Sequence, residues 1–161
     1  MLSKEKVYEW LSAVTDPEVP VLTILDLGIV RDVIIGEDKE ITVVITPTYS
    51  GCPAMDMISM QIRMTLLSRG VSKVNIQQQL SPAWTTDWMS EEGKMKLKEY
   101  GIAPPIRKSK EEIGLFEEDG VPCPKCDSID TTLVSGFGPT SCKSLYKCNS
   151  CKEPFEHFKC H

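Results

Sequence analysis

Near the start of the chain, apolar residues recur at helical spacing. In SKEKVYEWLSAVTDPEVP, Val7, Trp10, Leu11 and Val14 fall at i, i+3, i+4 and i+7, one buried face of a helix with Ser3 as a suitable N-cap. Asp16-Pro17 is the expected stop. The period then changes. GIVRDVIIG and KEITVVITP are β-branched runs joined by the turn-forming GEDK, which predicts a β-hairpin over residues 29–46. PAMDMISMQIRMTLLSRG returns to helical spacing: Met55, Ile58, Ile62 and Leu66 form one stripe, Pro53 suits the first turn and Gly70 the C-cap. SKVNIQQQLSP alternates Val74, Ile76, Gln78 and Leu80, as expected of a strand joining the hairpin's sheet. SEEGKMKLKEYGIAPP supplies a last short helix stopped by Gly101 and the prolines. This α-β-β-α-β-α order predicts an α+β fold, a small sheet with helices on one face.

Periodicity fades after residue 105. Residues 106–120, with RKSKEEIGLFEEDG, are charged and turn-rich and are expected to form a linker between a domain of residues 1–105 and a module of residues 121–161. Those last 41 residues are too few for a core of their own, so a covalent or metal staple is physically required if they fold.

Composition narrows the function classes. Of the 161 residues, 41% are apolar and 25% charged, an ordinary globular mixture. The net charge of −5 hides no basic module: residues 1–105 carry 10 Lys/Arg against 14 Asp/Glu, and residues 121–161 carry 5 against 4. Nucleic acid as a partner is therefore not expected, because phosphate neutralisation needs a basic patch. No apolar run reaches signal-peptide or membrane-spanning length, so the expectation is a cytoplasmic protein without a membrane partner.

Four of the seven cysteines form two CxxC pairs, Cys123/Cys126 in CPKC and Cys148/Cys151 in CNSC, with 21 residues between them. Each pair wraps two thiolates around one side of a metal, and two pairs complete the tetrahedron that structural zinc prefers, so one structural zinc in a β-rich ribbon is expected. A rubredoxin-like iron site would use the same ligands. A redox CxxC would instead sit singly at a strand-to-helix junction. Cys142, Cys160 and His161, with His157 nearby, are either ordinary ribbon residues or an additional, transient metal site.

Cys52, in PTYSGCPAMDM, precedes a helix whose free N–H groups and dipole would stabilise a thiolate. It is a candidate nucleophile or soft-metal ligand, or simply a small buried residue in a tight turn. Thr46, Thr48, Tyr49 and Ser50 place hydroxyls beside it, and Gly51 permits close backbone approach. Asp16, Glu18 and Asp26 are the other suggestive acids, each equally suited to capping a turn. The first 105 residues contain no histidine, which excludes a Cys-His dyad within that domain and weakens an enzymatic reading.

DPEVPVLTILDLGIVRDV, TPTYSGCPAMDMI, GVSKVNI and SPAWTTDWMSEEGKMKLKEYGIAPP resemble the small iron-sulfur assembly domain of SufT-like scaffold and targeting factors. With CPKCDS and FGPTSCKSLYKCNSCKEPFEHFKCH, nearly the whole chain resembles the PaaD family, also called PaaJ, of bacterial phenylacetate degradation. The resemblance implies an accessory or maturation role for the multicomponent phenylacetyl-CoA epoxidase, a monooxygenase system pairing a di-iron oxygenase with an iron-sulfur reductase. Its implied partners are the epoxidase subunits, the iron-sulfur reductase above all, and the iron-sulfur assembly machinery. It implies a transient iron or iron-sulfur cluster handled at Cys52, with Asp16, Glu18, Asp26 and Thr48 around it. Asp127 and Lys152 stand after the second cysteine of each pair, where glycine is common in zinc knuckles. No ExxH pair, GxGxxG fingerprint, P-loop or plant-type ferredoxin spacing is present, which favours an accessory role over oxygen chemistry. A non-catalytic structural subunit and, more weakly, a thiol enzyme using Cys52 are the alternatives. Sheet domains of this size often pair through an edge strand, which leaves a homodimer open.

Overall fold

A computed structural model describes residues 2–48, 54–105, 120–136, 138 and 143–158 of the chain. It divides into two compact units, residues 1–93 and 94–161.

The first unit opens with α1 (Lys4–Leu11), capped by the Ser3 side chain, which accepts from the Lys6 N–H. The helix ends at Leu11, short of Asp16-Pro17, because its last turn tightens: Ala13 N–H donates to Trp10 O and Val14 N–H to Leu11 O. Val7, Leu11 and Val14 are buried as their spacing requires, while Trp10 is only partly so. A short helix α2 (Ile24–Leu27) follows, then β1 (Val30–Ile35), a 3-10 turn (Glu37–Lys39) in place of the expected simple turn, and β2 (Glu40–Ile45). The hairpin is antiparallel, with a bulge between Val30 and Asp32.

The stretch after residue 53 forms α3 (Ala54–Ser68), which buries Met55, Ile58, Ile62 and Leu66. Gly70, at φ 91°, closes it in a Schellman arrangement: Gly70 N–H bonds Leu67 O and Val71 N–H bonds Leu66 O. The chain then returns in β3 (Lys73–Gln78), parallel to β2, so the sheet order is β1-β2-β3. The strand stops at Gln78, before Ser81-Pro82, and Leu80 is exposed instead of continuing the alternation. Ile41, Val43 and Ile45 of β2 are wholly buried, and α1 and α3 pack together.

Helix α4 (Glu91–Tyr100) ends at Gly101, φ 92°. The two residues after Gly101 form β4 (Ile102–Ala103), which pairs with β7 (Pro154–Phe158) and so joins the second unit's sheet. That sheet runs β4-β7-β6-β5, with β5 (Thr131–Ser135) and β6 (Lys143–Cys148) antiparallel neighbours. Its core is small: Ala103, Val121, Cys123, Tyr146, Cys148 and Phe155, with Leu133 against it. Tyr146 stacks on Phe155, and the buried Lys143 ammonium pairs with Glu156 at 3.1 Å. The linker expected over residues 106–120 lies, apart from Gly120, outside the described residues. Among the described residues no helix is long and apolar enough to cross a membrane.

Candidate metal centre

Cys123 and Cys126 belong to the turn before β5, Cys148 ends β6, and Cys151 lies in the turn before β7. Backbone bonds shape both turns. Asp127 N–H donates to Cys123 O and Cys123 N–H to Ser128 O; Cys148 N–H donates to Glu153 O, and Cys151 N–H points at Cys148 Sγ, 3.5 Å away. Asn149 ties the second turn to the β5 side of the sheet through Asp130 and Thr132. Asp127 (φ 62°) and Lys152 (φ 67°) both adopt the left-handed conformation that glycine commonly supplies after the second knuckle cysteine. The knuckle shape is thus kept without glycine.

The result is a four-sulfur cluster whose Sγ atoms all lie within 4.8 Å of one another. Cys123 Sγ is 3.8 Å from Cys151 Sγ, and Cys126 Sγ is 3.5 Å from Cys148 Sγ. A tetrahedron with Zn–S bonds of about 2.3 Å has S···S edges of about 3.8 Å, so these two edges are close to those of a four-thiolate zinc site. Two sulfurs belong to wholly buried residues, Cys123 and Cys148, and two to exposed ones. The Cys151 N–H, first among several causes, lowers the Cys148 thiol to about 6. Cys126 gains some acidity from the Ser128 backbone, but the neighbouring Cys148, Cys123 and Cys151 sulfurs and burial together push it up to about 12. Four protein ligands leave no open coordination position, so such a metal would be structural. His157 lies elsewhere in the ribbon core, edge-on to Tyr146. Cys142, Cys160 and His161 are outside the described residues.

Cys52 also lies outside the described residues, as do Tyr49, Ser50 and Gly51. Its flanks are defined: Thr48 follows the end of β2, and α3 begins at Ala54. Thr46 is buried with its N–H bonded to Ile29 O, while its hydroxyl has no partner among the described residues. The acids have visible local work. Asp16 Oδ1 accepts the Glu18 and Val19 N–H groups at 2.7 and 3.2 Å, which closes the loop that the Thr15–Thr23 bridge also pins. Asp26 forms a reciprocal capping box with Thr23 and accepts from the Ser90 hydroxyl. Gly28 and the segment over it were not singled out by sequence reasoning. Gly28 sits at φ 75°, and a Cβ there would lie 2.3 Å from Trp88 O; Trp84 Nε1 donates to Leu27 O, and the Arg31 guanidinium stacks 3.7 Å from the Trp88 ring. The Thr23-Asp26 spacing was a readable signal for the box; the Trp88 contact left none.

A small α+β sheet unit followed by a four-cysteine β ribbon defines a two-module, metal-associated protein. The iron-sulfur cluster assembly protein family model matches residues 4–77, and the PaaD zinc beta ribbon domain model matches residues 107–159. The chain belongs to the PaaD family. It is 48% identical over 156 residues, 96% of this chain and 92% of the relative, to a protein of Escherichia coli (strain K12) named as one of the subunits of 1,2-phenylacetyl-CoA epoxidase. It is 40% identical over 96 residues, 59% of this chain and 90% of the relative, to an Fe-S protein maturation auxiliary factor of Porphyromonas gingivalis. The crystal structure of a domain of unknown function, DUF59, from Bacillus anthracis matches with a TM-score of 0.55 and 30% identity, covering 58% of this chain and 90% of that one.

Proposed function

We propose that this chain is an accessory protein that matures the multicomponent phenylacetyl-CoA epoxidase by assisting iron or iron-sulfur cluster assembly. One observation carries the reading: an iron-sulfur assembly module and a PaaD ribbon occur in one chain that aligns along 96% of its length with a relative named as an epoxidase subunit. The assembly domain occupies residues 1–105 and the ribbon residues 121–161, joined by residues 106–120. Iron or a cluster is cargo at the segment between β2 and α3, taken by Cys52 with Thr48, Asp16, Glu18 and Asp26 shaping its surroundings. Cys123, Cys126, Cys148 and Cys151 hold one structural zinc, and the ribbon docks on the iron-sulfur reductase component. Cys142, Cys160 and His161 remain candidates for a further metal contact. The protein acts in the cytoplasm with the iron-sulfur assembly machinery.

The test is Cys52→Ser in cells that depend on the epoxidase. Cluster occupancy of the reductase, read by absorbance and electron paramagnetic resonance, should fall at least about tenfold, with epoxidase activity falling in parallel and accessory-protein level unchanged. Full occupancy with the variant would overturn cluster handling at Cys52. The relative's name as a subunit favours a second reading, a non-catalytic structural subunit. That reading expects stoichiometric co-purification with the oxygenase and tolerance of Cys52→Ser.

A further inference from the structure

Helix α3 is apolar on both sides. Met55, Ile58, Ile62 and Leu66 face the core, yet Met57 (52% exposed), Met60 (60%), Met64 (65%) and Leu67 (49%) form a second apolar stripe facing outward. A contiguous exposed apolar patch of this kind marks an interface. Beside it lies β3, the edge of the sheet order β1-β2-β3. Natural edge strands are blunted by charges, proline or bulges. Between Val74 and Gln79 there is no charge and no proline, and the β2–β3 register is unbroken.

Between α3 and β3 runs a groove of about 430 Å³ lined by Asp56, Ser59, Met60, Arg63, Ile76 and Gln78. Asp56 and Arg63 are exposed and have no ion-pair partner among the described residues. They stand two helical turns apart on one face, opposite in charge, with Ser59 and Met60 midway. Such a face complements itself: a two-fold axis between Ser59 and Met60 lays Asp56 of one copy on Arg63 of the other, twice. The strand obeys the same symmetry. Antiparallel pairing centred on Ile76 sets Val74 opposite Gln78 on the helix side and Asn75 opposite Gln77 on the other, with no like charges opposed. Met60 and Ile76 line the same groove, so one axis satisfies helix and strand together.

We infer that two copies of this chain form a symmetric dimer through this face, β3 pairing with β3 into a six-stranded sheet and α3 lying antiparallel to α3. Alternative occupants do not explain the charge pattern, because a foreign strand has no need of a self-complementary Asp56/Arg63 pair. The inference stands independently of the maturation role.

Sedimentation of the full-length, metal-loaded chain across a concentration series tests it, with Arg63→Asp, Asp56→Arg and the double variant carrying both. The wild type should dimerise. Each single variant opposes like charges across the axis and should weaken association by about tenfold or more, and the double variant should restore it. Both side chains are exposed, so the fold should survive, and circular dichroism checks this. Ile76→Lys should dissociate the dimer at the strand. A monomer at every concentration, equal association of all four proteins, or a double variant as weak as the singles would each overturn the inference.

Discussion

Gly28 shows how much a single residue decides. Its N–H bonds back to Leu25 O and Ile24 O to end α2, and its backbone lies against Trp88 O at a distance no side chain fits. Gly28→Ala adds left-handed strain to a 2.3 Å overlap with backbone, so a loss of about 2–4 kcal/mol is expected. Urea unfolding followed by fluorescence of Trp10, Trp84 and Trp88, all within the first unit, measures it. Cys148 sets the pH response of the ribbon. Its folded value, near 6, lies below the ordinary thiol range, so above 6 this ligand is already a thiolate and below 6 it must lose a proton before metal can bind. Zinc affinity should therefore fall as pH falls, and more steeply by about one proton per metal below pH 6. Competition with a chromophoric chelator from pH 5 to 8 would show that break.

At the scale of elements, the knuckles and the sheet edges carry the argument. Lys152 carries a left-handed penalty that glycine largely escapes, and its side chain is exposed. Lys152→Gly should stabilise the metal-bound ribbon by about 0.5–1 kcal/mol, read as a several-fold gain in zinc retention against chelator. Most elements were legible because their apolar periods are clean: the α3 stripe and the β1–β2 hairpin are where the spacing puts them. Strands β4 and β7 were not legible. Ile102–Ala103 is too short to show alternation, and it is strand only because β7 offers a partner. Asp16 and Asp26 were readable as turn-formers, and both cap turns.

For the whole molecule, the two units depend on different physics. The first has a large aliphatic core, including Val7, Leu22, Ile41, Ile62 and Leu66, all fully buried. Among the described residues of the second, the cluster beside the sulfur cage has only six buried residues, two of them the ligand cysteines, too little burial to hold the ribbon against chain entropy without a metal. A strong zinc chelator should therefore abolish the ribbon's β signal in circular dichroism while leaving tryptophan fluorescence nearly unchanged. Loss of both signals together would show that the first unit cannot stand without the metal.

By itself the sequence determined the α+β class, the two CxxC pairs as one ligand set, and the net acidic charge, because these depend on residue type and short spacing. Only the tertiary structure decided the parallel placement of β3 at the edge of its sheet, the Gly28–Trp88 contact and the cage of four sulfurs within 4.8 Å of one another. Each of these joins residues distant in the chain, and no local pattern encodes which distant backbone or side chain will arrive.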